Sequence, residues 1–69
     1  MAESHEVAVS ADLADSLARD DLARAAFERL PDSHRREWVR WVEEAKKAET
    51  RAARIARTVR SLHDGTQAR

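Results

Sequence analysis

One proline, Pro31, and one glycine, Gly65, are all the strong backbone breakers in this 69-residue chain. Any other boundary must be set by weaker signals. The rest is rich in alanine, arginine and glutamate, which lose little side-chain freedom in a helix. There is no tyrosine and β-branched residues are scarce, which argues against a sheet. The expectation is an all-α protein: a compact four-helix domain with a C-terminal antiparallel helix hairpin. A chain this short buries only about 60% of the surface that it exposes unfolded, so its stability margin is small. The absence of cysteine rules out a disulfide staple and a thiolate metal site, and it fits a reducing, cytoplasmic setting. The apolar runs are too short to span a membrane, and "MAESHEVAVSADL" lacks the basic and apolar regions of a secretory signal.

Residues 1–8 read as a disordered N-terminal segment, 9–65 as the folded domain and 66–69 as a frayed tail. Ser10 is the cap candidate for a first helix over 11–18, striped by Leu13 and Leu17, with Asp12 favourably placed in its first turn. "RDD" at 19–21 ends that helix and caps a second, over about 21–30. After Pro31, Asp32 or Ser33 caps a third helix over about 32–47. Its narrow apolar stripe is Trp38, Trp41, Val42 and Ala45, with His34 in line at one end and Val39 on a flank. Thr50 is the next cap candidate, for a fourth helix over about 51–63 that stops near Gly65. Its stripe is Ala52, Ile55, Val59 and Leu62, and Arg54, Arg57 and Arg60 fall on the outer side. The third and fourth helices should form the hairpin, with the first two closing its apolar face.

Net charge is zero but unevenly spread. Residues 1–32 carry eight acids against three bases, a net charge of −5, and residues 33–69 carry five acids against ten bases, a net charge of +5. An acidic first half packed beside a basic second half explains this most simply. A basic face for an anionic partner is the sharper alternative.

Arg51 breaks a local rule. It is a cation near a helix start, where the macrodipole opposes it, one turn before core-facing Ile55. Two readings follow. In one, it pairs with a carboxylate from the second helix, from the 19–21 turn, or with Glu44. In the other, Lys46, Thr50, Arg51 and Arg54 converge at the helix 3–4 turn to hold a carboxylate or phosphate. His34 and Arg35 are secondary candidates. His34 lacks a nucleophile or acid partner at fixed spacing and reads better as a packed histidine than as a catalytic base. His5 and His63 sit near chain ends expected to fray. No His-x3-His pair exists, so no metal site and no cofactor are expected. Outer arginines Arg54, Arg57 and Arg60 could follow a nucleic-acid backbone, but zero net charge favours a solvated face.

The segment "FERLPDSHRREWVRWVEEAKKAETRAARIARTVRSL" resembles the C-terminal helical domain of the YdeI/OmpD-associated family, also called bacteriocin-protection proteins. The resemblance rests on Leu30, His34, Arg35, Trp38, Trp41, Val42, Ala45, Lys46, Thr50, Arg51 and Arg54. The upstream "VSADLADSLARDDLARAAF" looks like the family's opening helices, so the likeness spans about residues 7–64. Trp38 stands where a tyrosine is common, which removes a hydroxyl. The resemblance implies a part in tolerance of bacteriocins or antimicrobial peptides and supplies no catalytic mechanism. The expected protein is therefore a non-enzymatic binding or protective module. It meets a peptide, a protein or a small anion at the helix 3–4 turn, and a homodimer is open. The competing class is a nucleic-acid-binding regulatory protein, and a third is a small hydrolase using His34.

Overall fold

The computed structural model describes residues 9–65, so the readings of 1–8 and 66–69, and His5 with them, lie outside the described residues. The fold is all-α, with α1 over Ala11–Ala18, α2 over Asp21–Arg29, α3 over Asp32–Glu43 and α4 over Ala48–Asp64. No helix among the described residues is long and apolar enough to cross a membrane.

The first two helices follow their sequence signals closely. Ser10 is extended at the head of α1 and its carbonyl accepts the Ala14 N–H at 2.9 Å, but its side chain makes no capping bond. Asp20 caps α2 with its side chain, accepting the Ala23 N–H at 3.0 Å. That helix stops at Arg29 because Leu30 precedes a proline and is driven to extended backbone, φ −69° and ψ 146°. Leu30 is nonetheless buried, so the break places an apolar side chain in the core.

The start of α3 differs from expectation. Pro31 itself holds the cap position, and its carbonyl accepts the N–H groups of His34 and Arg35. Asp32 is the first helical residue and pairs instead with the Arg35 guanidinium. The end of α3 differs more, since it stops at Glu43 rather than near residue 47. The Ala45 N–H closes a tighter turn onto the Val42 carbonyl at 3.2 Å, and Ala45 is tucked inward. The connection to α4 then takes residues 44–47. Lys47 is extended at the cap position of α4, so Thr50 lies inside the first turn and is not the cap. Gly65 ends α4 at φ 84°, the left-handed conformation expected of it.

Packing centres on α4, which meets α2 most extensively and also touches α1 and α3. The core joins Leu13 and Leu17 of α1, Ala23 and Phe27 of α2, Trp38, Val39 and Val42 of α3, and Ile55 and Leu62 of α4. Each large apolar side chain withdrawn from water contributes about 1.5–3 kcal/mol. Val39, expected on a flank, is a core residue, whereas Trp41 is only half-buried. Trp38 and Trp41 meet edge to face, with ring centroids 5.9 Å apart. On α4, Ala52 is exposed instead of buried, and Thr58 takes the core position, fully buried.

Candidate functional site

Arg51 and Arg54 leave α4 toward different helices. Arg51 grips Asp12 of α1 in a forked contact, Nε to Oδ2 at 2.6 Å and Nη2 to Oδ1 at 3.1 Å. Arg54, one turn on, donates Nη1 to the Trp41 carbonyl of α3 at 2.7 Å, with its guanidinium carbon 5.1 Å from the Trp41 ring centroid. Arg54 is thus half-buried and does not lie in an outer stripe with Arg57 and Arg60, both of which are exposed. Lys46 is exposed in the connection before α4, and Thr50 is half-buried in the first turn. His34, expected to be packed, is exposed in the first turn of α3. Arg35 is half-buried against Asp32.

Arg51 therefore has an internal carboxylate, but its partner is Asp12 and not the second helix, the 19–21 turn or Glu44. The Arg51 bonds hold the Asp12 carboxyl well below its ordinary range, and Asp12 in turn raises Arg51. At the other end of the same helix pair, His63 Nδ1 lies 2.9 and 3.1 Å from the two Asp20 carboxylate oxygens. The Ala23 N–H first, and His63 second, keep Asp20 below its ordinary value. Asp20 raises His63 above its usual 6.5. His63 is not at a frayed end: it sits in the last turn of α4, fastened to the α1–α2 junction.

These two pairs show that α1 runs alongside α4 in the same general sense, because Asp12 meets Arg51 and Asp20 meets His63. Along α4 they are separated by about 18 Å of helix rise. Between them α1 and α4 touch, and shallow hollows lie along their seam. Ser16 of α1 faces Ala52 and Ala56, which are one turn apart, and these short side chains cannot fill the gap. Along the seam lies an open groove of about 990 Å³, lined by Ala56 and half-buried Val59, by half-buried Ser16 and Ser61, and by the charged residues Arg19, Asp20, Arg57, Arg60 and Asp64 with His63. A smaller hollow of about 360 Å³ continues it toward Asp12 and Arg51, sharing Ser16 and Ala56. Lys46, Thr50, Arg54, His34 and Arg35 do not line either hollow.

Sequence reasoning missed the groove and the His63–Asp20 contact. The contributing residues are 43 positions apart in the chain, and no local pattern links them. The usable hint was the run of alanines on α4, which marks a helix face too shallow to seal against a neighbour.

The family model described as "Bacteriocin-protection, YdeI or OmpD-Associated" (OmdA) matches residues 6–65. No curated protein and no solved structure matches the chain significantly.

Proposed function

Since the chain belongs to the bacteriocin-protection, YdeI or OmpD-associated family, we propose that it is a non-enzymatic protective module that works by binding a peptide or protein segment along the α1–α4 groove. The observation that carries this reading is the groove itself: apolar, hydroxyl-bearing and charged side chains lining one open hollow, with an ion pair toward each end. Apolar surface supplies attraction without direction, and polar groups around it set orientation. The helix 3–4 turn fits the role of ligand site less well. Its guanidiniums are already engaged, Arg51 by Asp12 and Arg54 by Trp41. In this reading Lys46 and Thr50 flank a structural turn, and Arg51 and Arg54 fasten α4 to its neighbours. A nucleic-acid interface on the last helix has less support, because Arg54 is withdrawn onto the Trp41 carbonyl and leaves the outer stripe.

The test is a survival assay in bacteria challenged with a bacteriocin, comparing cells that express the wild type with cells that express Ala56→Trp. Ala56 is exposed, so an indole there fills the groove from outside the core. The expected outcome is protection by the wild type and its loss in the variant, with helical content and melting temperature retained. Equal protection by both proteins removes the groove from the function.

A further inference from the structure

Resting on the reading of the α1–α4 groove as the binding surface, we propose that its occupant is an acidic segment of a partner protein, with an apolar side chain seated between its carboxylates. The rim carries three guanidiniums, Arg19 from the end of α1 and Arg57 and Arg60 one turn apart on α4, against the carboxylates of Asp20 and Asp64. Those carboxylates are not equivalent. Asp20 already accepts the Ala23 N–H that caps α2 and also holds His63 Nδ1. Its oxygens are thus largely occupied inside the chain, and the rim as a whole sets three guanidiniums against two carboxylates, a net charge of +1 before His63 is counted. His63 adds to that bias when protonated, a state favoured by Asp20 and Asp64 and opposed by Arg60.

The apolar part of the lining distinguishes among anionic partners. Ala56 and Val59 offer apolar surface and no hydrogen-bond donor from their side chains. A sugar–phosphate backbone gains nothing from such an apolar surface, whereas a peptide with an apolar side chain does. A peptide strand instead presents side chains at alternate positions, so one Leu-like residue can rest on Ala56 and Val59 while flanking carboxylates reach Arg19 and Arg60. A cationic segment meets like charge along most of the rim. Binding governed by exposed guanidiniums is screened by salt and changes sign with the charge of the ligand.

Fluorescence anisotropy with the full chain tests this, using a labelled Glu/Leu peptide, its Lys/Leu counterpart and a DNA duplex, each at low and high salt. The expected result is binding of the Glu/Leu peptide alone, weakened by high salt. Arg60→Glu and, separately, Arg19→Glu each lower its affinity about tenfold, roughly the loss of one charge-assisted contact. Arg60→Lys largely retains it. Both positions are exposed, and circular dichroism checks that each variant keeps its helices. Preferential binding of the Lys/Leu peptide, abolished by Ala56→Trp, overturns the acidic occupant and leaves the groove reading intact. Glu/Leu binding that is unaffected by Ala56→Trp, Arg19→Glu and Arg60→Glu overturns the groove reading as well. Preference for the DNA duplex, or no binding by any probe, overturns the proposal.

Discussion

Thr58 is fully buried, and its hydroxyl donates to the Arg54 carbonyl one turn earlier at 2.8 Å. That bond is why a polar side chain is tolerated where an aliphatic one would be expected. Replacing the hydroxyl with a methyl leaves no donor stranded, and the Arg54 carbonyl can still accept the helical N–H. Thr58→Val should therefore change unfolding stability by no more than about 1 kcal/mol, measured by urea denaturation. A loss several times larger would mean that the hydroxyl has a structural role beyond its back-bond. Arg51 illustrates the opposite kind of legibility. Its conflict with the helix dipole and its place one turn before Ile55 mark it as a residue that needs a carboxylate. Which carboxylate answers it is a tertiary fact, since Asp12 lies 39 positions away in the chain. Asp12 has an ordinary local reason to be present, in the first turn of α1, and so draws no notice in the sequence.

At the scale of elements, the strong breakers and the cap at residues 19–21 are read correctly, and the boundary between α3 and α4 is not. Pro31 separates α2 from α3, and Gly65 stops α4, each for a stereochemical reason that holds in any context. The end of α3 has no such mark. Residues 44–47 are good helix formers, yet the chain leaves the helix there, with the Ala45 N–H turned onto the Val42 carbonyl and Ala45 buried. The junction of α4 with α1 and α2 depends on His63 and Asp20, and its pH dependence can be signed. His63 is raised above 6.5, so the contribution from its pairing is complete below that value and is lost as pH rises through the folded-state value. Asp20 is lowered below 3.8, so its contribution is complete above that value and is lost as pH falls through its folded-state value. The groups facing His63 are Asp20 from the α1–α2 junction, with Asp64 and Arg60 from its own helix. Thermal melts should accordingly show a melting temperature that declines from mildly acidic toward alkaline pH, and His63→Gln should flatten that decline. An unchanged profile in the variant would assign the decline to other groups.

For the whole molecule, the division into an acidic first half and a basic second half acts partly inward, because Asp12–Arg51 and Asp20–His63 each join the two halves. The all-α class and most of the core follow from apolar periodicity and the placement of Pro31. The alignment of α1 along α4 does not, because it is chosen by side chains far apart in sequence. That alignment creates the groove, where short residues meet along the α1–α4 seam. The central claim is that this groove, and not the α3–α4 turn, is the binding surface. Amide chemical-shift mapping of the isotope-labelled full chain, titrated with the Glu/Leu peptide, tests it most directly. The account predicts that the largest shifts fall on Ser16, Arg19, Ala56, Arg57, Val59 and Arg60. Shifts concentrated on Lys46, Thr50 and the residues between them, with the groove unmoved, would contradict it.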